Sequence, residues 1–398
     1  SSLTYGASAF AGGINIITKT DNKTNGYATV QGGMHNTWKV ETRGAYKSKR
    51  SLHQLSAGYA KSKGYIENSD YEILNLLFQN QFSLNENSIR LQTGVNKKQY
   101  GANTFYSAQY PNQYDDTKSI FASLIGETNG KLKIKPQIYW SRHYDCFQLI
   151  RKGTPEIPNW YTNHNYHRTD VFGTNLTFQY ASEAGITSFG SEIRNESIMS
   201  NVLGTPMKNK INNYTMSDSR TAINYFVEQN FLFNKTTLSI GALLNHNTAN
   251  INKYTFYPSI NSSYRINKNI SLYGSWNRAT RMPTFTELYY TTDTHIGNVD
   301  LHAEQSEAFE TGIKLSSSLF QGNMSAFYMK GSNLIDWVKQ HEEDLWESRN
   351  HTRINKRGLE ANLQINLKQL DKNILIDKVQ VGYVHLSQNI DREDLISN

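Results

Sequence analysis

The chain has 398 residues, of which 37% are apolar and 19% charged. No run of about 18 apolar residues occurs, which excludes a transmembrane helix and leaves membrane-crossing strands open, because alternating faces cancel in a hydropathy average. The net charge of +7 is spread along the chain rather than gathered in a stripe, which argues against a nucleic-acid partner. The single cysteine, Cys146, excludes an intrachain disulfide.

With 25 Tyr, 17 Phe and 6 Trp against 7 Pro, the composition favours strands. The opening residues Ser1 to Gly6 lack the basic and apolar regions of a signal peptide. A small-residue stretch, Ala7 to Gly13, then runs into the Ile-rich Ile14 to Lys19, a pattern for a buried strand. Polar, Gly-containing strands follow near Tyr27 to Tyr59. Beyond them, period-two alternation recurs, placing apolar and polar side chains on opposite faces. Leu132, Ile134, Ile138 and Trp140 alternate with Lys133, Lys135, Gln137 and Tyr139. Phe172, Leu176, Phe178 and Tyr180 form one face of the next such run, and Leu238, Ile240, Ala242 and Leu244 one face of another. Ile260, Tyr264 and Ile266 follow, then Phe309, Ile313 and Leu315. From Leu359 to Leu367 every odd position is apolar and every even one polar. About seventeen strands of about ten residues are expected, the length that crosses a bilayer when tilted.

The connections alternate in length. Asn85-Glu86-Asn87, Asn129-Gly130, Asn234-Lys235 and Asn267-Lys268-Asn269 read as tight turns. Between and beyond them lie long connections, near 99–115, 144–165, 200–217, 279–305 and 331–352. Outer-membrane barrels have this arrangement, with short periplasmic turns and long extracellular loops. Pro136 and Pro258 fall inside strand-like runs and fit poorly, since proline removes a ladder donor.

Four stretches together resemble the TonB-dependent outer-membrane receptor family. Tyr5 to Lys19 is similar to the end of the family's plug, with one residue fewer between the glycine pair and the asparagine. Arg281-Met282-Pro283-Thr284-Phe285-Thr286-Glu287-Leu288-Tyr289 resembles the family's Arg-x-Pro-Thr-x-x-Glu-Leu-Tyr. Gly297-Asn298-Val299-Asp300-Leu301-His302-Ala303-Glu304 follows as Gly-Asn-x-x-Leu-x-x-Glu, with His302-Ala303 in place of the usual Lys-Pro. Arg357-Gly358-Leu359-Glu360 resembles the start of a late strand. The resemblance implies an all-β, antiparallel transmembrane β-barrel in the outer membrane of a Gram-negative bacterium. Residues 1–20 would be the end of a plug domain and 21–398 a partial barrel, about 17 of 22 strands. It implies an importer with a TonB-type energy-coupling partner, outer-membrane lipid around it and room for a surface lipoprotein, with no cofactor and no enzyme activity. The stretch from Met282 to Tyr290 points to cobalamin as the substrate, with a ferric siderophore as the alternative. An extracellular carbohydrate-binding or adhesin β-protein is the reading from another class.

No phosphate-binding loop, nucleophile elbow or His-Glu-x-x-His motif occurs. Asp115-Asp116 and Glu342-Glu343-Asp344 could offer oxygens to calcium, though solvated loop charges explain them as well. His164 and His167, beside Asn163 and Asn165, could ligate a metal. The expected ligand-contacting residues are loop aromatics: Phe105, Tyr106, Tyr110 and Tyr114 in one loop, Trp160 and Tyr161 in a second, and Tyr289 and Tyr290 in a third. Such side chains grip large ligands with little loss of freedom, and they also serve as interfacial girdles.

Overall fold

The computed structural model describes residues 23–155, 157–249, 254–391 and 395–397. The plug-like opening, residues 1–20, lies outside them. The strands are β1 (Asn25–Gly33), β2 (Thr37–Lys47), β3 (Ser51–Ser62), β4 (Tyr71–Leu84), β5 (Asn87–Gly101), β6 (Tyr114–Glu127) and β7 (Leu132–Gln148). Then come β8 (Asn165–Ser182), β9 (Gly185–Ser200), β10 (Thr205–Ile211), β11 (Tyr214–Leu232), β12 (Thr236–Asn247), β13 (Tyr254–Arg265) and β14 (Ile270–Arg281). After a short helix, α1 (Phe285–Tyr289), follow β15 (His295–Ile296), β16 (Glu304–Ser316), β17 (Phe320–Lys339), β18 (Trp346–Asn366), β19 (Lys378–Asp391) and β20 (Ile396–Ser397). Setting aside β10, β15 and β20, which have seven residues or fewer, seventeen long strands remain among the described residues, as the periodicity predicts.

Contacts divide the chain into two compact units. The described part of one, the N-terminal unit, is 23–177 with 192–222; that of the other, the C-terminal unit, is 178–191 with 223–397. In the N-terminal unit β1 to β7 form a continuous antiparallel meander. In the C-terminal unit β12, β13, β14, β16, β17, β18 and β19 do the same.

The register assigns the faces. Tyr264, Leu272, Ile313, Met324, Ala361 and Tyr383 lie directly opposite one another across six strands. One residue along, the other face carries Arg265, Ser271, Lys314, Asn323, Asn362 and Gly382. The apolar row is exposed, with Ile313 at 39% and Met324 at 47%, while Ser325 on the polar face is buried. A sheet that leaves its apolar face uncovered is built for an apolar solvent. On the polar face Tyr273 lies over Gly312, where a Cβ would come within 2.6 Å of the phenol, and its hydroxyl donates to Glu310 at 3.1 Å.

The tight turns fall where the Asn and Gly residues place them. Leu84 pairs with Asn87 across Asn85-Glu86, and Asn85 has φ of 57°. The two prolines also find a physical reason. The β6–β7 ladder ends at the pair Ile125–Gln137, one residue short of Pro136. The β13–β14 ladder begins at Ser259, one residue past Pro258. Each proline sits where the ladder on one side stops, although Pro258 still faces Ala242 within the β12–β13 ladder.

Two expected loops are instead paired strands. Most of 200–217 is the β10–β11 hairpin, turning at Asn212. Its strand Thr205 to Ile211 carries Lys208 and Lys210 and no apolar alternation, so only backbone bonds announce it. Within 331–352, β17 continues to Lys339 and β18 resumes at Trp346. Register shifts on either side of Leu334, beside Asn333 at φ 55°, break the period that sequence reading relies on.

Candidate ligand site at the loop end

In the N-terminal unit three connections meet: 63–70, 102–113 and 149–164. Asn68 ties the first to the second, its amide donating to the Pro111 carbonyl at 2.9 Å and the Gln113 carbonyl at 2.6 Å. Asn103 reciprocates with a bond to the Glu67 carbonyl at 2.8 Å. Arg151, from the third connection, forms a forked pair with Asp70 at 2.6 and 2.9 Å and reaches Asn68 at 3.2 Å. Its guanidinium lies 4.1 Å from the centre of the Tyr114 ring, and its backbone N–H donates to the Asn112 carbonyl at 2.8 Å. A bidentate Arg–carboxylate pair fixes direction as well as distance.

This latch holds the aromatic residues in two groups. Phe105, Tyr106 and Phe147 pack edge to face, with centroids 4.9 and 5.1 Å apart. Tyr106 donates to the Asp115 carboxylate at 2.9 Å, and burial together with that carboxylate holds the Tyr106 phenol well above its ordinary pKa. The second group is a chain, Tyr110–Trp160–Tyr161–His164–Tyr166, with successive centroids 5.6 to 6.1 Å apart. The Tyr161 hydroxyl accepts from the Leu149 N–H at 2.9 Å and pairs with His164 Nδ1 at 2.8 Å. Burial, with Lys152 nearby, lowers the His164 pKa, so the ring is neutral at pH 7. Trp160 is 59% exposed and Phe105 76%, so each group presents an accessible ring.

Tyr114 does not join them. It is on the same strand face as Asp116 and Lys118, whereas Asp115, the partner of Tyr106, points the other way. The same alternation separates Asp115 from Asp116, so the adjacent carboxylates do not face one cation. His164 bonds Tyr161 and His167 bonds Ser200. Among the described residues no group of three His, Cys, Asp or Glu side chains could hold a metal. Glu342 pairs with Lys339, and Asp344 accepts from the His341 backbone, as loop charges do.

In the C-terminal unit, Tyr289 ends α1 and Tyr290 follows it. Tyr290 contacts His295, which meets Trp337 edge-on at 5.2 Å. Burial raises the Tyr290 phenol and lowers the His295 imidazole. The helix has only five residues and is held by its caps. Thr284 accepts from the Glu287 N–H at 3.2 Å, and Glu287 accepts from the Thr284 N–H at 2.7 Å. Arg281 then grips Glu287 at 2.9 and 3.0 Å and Glu304 at 2.6 Å twice. The stretch expected to signal cobalamin therefore builds a loop anchor. Sequence reading missed Arg281 and Glu304 as partners, although Thr284-x-x-Glu287 is legible as a capping box.

Because the Arg151 guanidinium holds the Asp70 carboxyl below the usual carboxylate range, the latch has a defined pH window. A depressed folded pKa contributes stability that is present above the unfolded value, about 4, and is lost as pH falls through the folded one. Loop 149–164 should resist proteolysis from pH 8 down to about 4 and open below that. Asp70→Asn should open it already at pH 7. Cleavage of that variant at the wild-type rate would show that the pair does not hold the loop.

The sequence matches the family described as "TonB dependent receptor-like, beta-barrel" over residues 4–394. No curated protein sequence matches significantly. Among solved structures, the siderophore receptor PirA from Pseudomonas aeruginosa superposes with a TM-score of 0.73 at 15% identity, over 98% of this chain and 73% of that one. A ferric enterobactin receptor (PfeA) from the same organism gives 0.71 at 17% identity, over 92% and 63%. The FrpB iron transporter from Neisseria meningitidis gives 0.68 at 12% identity, over 92% and 60%. This chain thus spans less than two thirds of the length of the latter two. At these identities the likeness is one of fold. With the match covering nearly its whole length, the chain belongs to the TonB-dependent receptor β-barrel family of the Gram-negative outer membrane.

Proposed function

We propose that the chain is the barrel part of an importer of ferric siderophores, driven by a TonB-type partner, with residues 1–20 as the end of its plug. The observation that carries this reading is the latched run Tyr110–Trp160–Tyr161, an ordered aromatic surface on the loops with Trp160 exposed. Ferric complexes of aryl chelators are large and present ring faces, which suit such a surface. The three similar structures are named for siderophores or iron, which supports the siderophore alternative over cobalamin.

The test is a tryptophan-fluorescence titration of the full-length receptor in detergent. Catecholate, hydroxamate and citrate complexes of Fe(III) are run beside cobalamin. One ferric complex should bind saturably, and Trp160→Ala should weaken it about tenfold, about 1.4 kcal/mol. Saturable binding of cobalamin alone would sink the proposal.

A further inference from the structure

At the turn end of the C-terminal unit, one described connection differs from its neighbours. The connections 233–235, 266–269 and 317–319 are short. The β18–β19 connection, 367–377, is much longer, although it joins strands already paired at Asn366–Lys378, where a tight turn would suffice. The chain first makes one 3-10 turn at Leu367–Gln369. A second turn follows, in which the Asp371 carboxylate accepts from the Asn373 N–H at 2.9 Å. This connection carries Leu370, Leu375 and Ile376, all exposed, with Leu375 at 97%.

Polar groups are engaged at its base. Asn366, the last residue of β18, donates its side-chain amide to the Ser318 carbonyl at 2.9 Å and its backbone N–H to the Leu319 carbonyl at 2.9 Å. The connection therefore starts fixed to the neighbouring turn. Lys368 pairs with Asp377 across the base. Asp371 and Lys372 are adjacent, so the charges of the connection cancel. Beside it lies the last row of the apolar face, Phe320, Ile365 and Val379, directly opposite one another across β17, β18 and β19. Leu370, Leu375 and Ile376 add apolar surface beyond the point where that ladder ends.

We propose that connection 367–377 inserts Leu370, Leu375 and Ile376 into the phospholipid leaflet nearest the turns, anchoring the barrel by a loop as well as by its strands. An exposed aliphatic cluster without net charge is stabilised neither by water nor by an ionic partner, and this one continues a face built for acyl chains. The backbone leaves the ladder at Asn366–Lys378, so the immersion is shallow: side chains reach the acyl boundary while peptide groups stay at headgroup level. The apolar stem of Lys372 lets its ammonium remain among the headgroups.

The test uses the full-length receptor in phosphatidylcholine vesicles, with Cys146→Ser and a nitroxide label on Leu375→Cys. Electron paramagnetic resonance compares collisions of the label with oxygen, which concentrates in acyl chains, and with a water-soluble nickel chelate. The label at position 375 should favour oxygen by about threefold or more, as an interfacial apolar side chain does. A label on Lys268→Cys, in the short turn 266–269, should favour nickel. Adding Leu370→Asp and Ile376→Asp should bring the label at 375 within reach of nickel, while the heat-modifiable gel band shows the barrel still folded. Nickel reaching the label at 375 as readily as at 268 would place the loop in water and overturn the proposal. A label reached by neither reagent would show that protein covers the loop, and would overturn it equally.

Discussion

Met324→Arg should lower stability in lipid by about 2–4 kcal/mol, while Asn362→Arg, on a directly paired strand one residue out of step, should leave it nearly unchanged. Met324 lies between Ile313 and Ala361 on the uncharged rows of the apolar face, well inside the levels marked by Arg357 and by the turns. An arginine near the bilayer midplane costs about 2–4 kcal/mol, and its neighbours there offer no partner. Asn362 faces Asn323 and Gly382 on the polar face, where a guanidinium remains hydrated. Against typical stabilities of about 5–15 kcal/mol, the first loss is large. Urea titration in vesicles, read as the heat-modifiable band on gels, measures both. Equal midpoints for the two variants would reverse the assignment of the faces.

The second large effect is expected at Arg281. Its removal as Arg281→Ala leaves Glu304, only 4% exposed, without its main counter-charge, while Glu304 still accepts from the Ile335 N–H at 2.9 Å. Breaking a buried pair from one side costs about 3–5 kcal/mol, and since Arg281 is itself about a third exposed, about 2–3 kcal/mol is expected here. The same change frees Glu287, the N3 residue of α1, so residues 282–303 should become a protease target while the strands persist. Glu304→Gln in the Arg281→Ala background removes the uncompensated charge and should restore part of the loss. Thermal melting with limited proteolysis reads both; a double variant no more stable than the single one would show that charge burial is not the cause.

The strands were readable where alternation runs unbroken, as from Leu359 to Leu367, because a period of two has a single structural meaning over that length. It failed at Thr205 to Ile211, where both faces meet water and no side chain needs to be apolar, and around Leu334, where a bulge adds a residue. That Phe105, Tyr106, Tyr110, Trp160 and Tyr161 lie in connections between strands was legible. Their arrangement was not. Arg151 and Asp70 are 81 residues apart, and nothing local in either marks a partner. The separation of Tyr114 from Tyr106 depends on strand parity, and so on a register that only the paired ladder supplies. The stretch Met282 to Tyr290 was read by resemblance as a substrate label; its side chains serve the anchor at Arg281.

The latch at Arg151 has a kinetic consequence. Three connections that would otherwise sample conformations independently are crosslinked at Asn68, Asn103 and Arg151, which shortens the free length between fixed points. Ordering of these loops then accompanies folding of the receptor and not arrival of the ligand. A binding-competent fraction near one leaves the intrinsic affinity undiminished, whereas loops competent one time in a hundred would weaken it a hundredfold, about 2.7 kcal/mol. With ligand seated on Trp160 as proposed above, cutting the crosslink should therefore appear first in the association rate, and the dissociation rate should change much less.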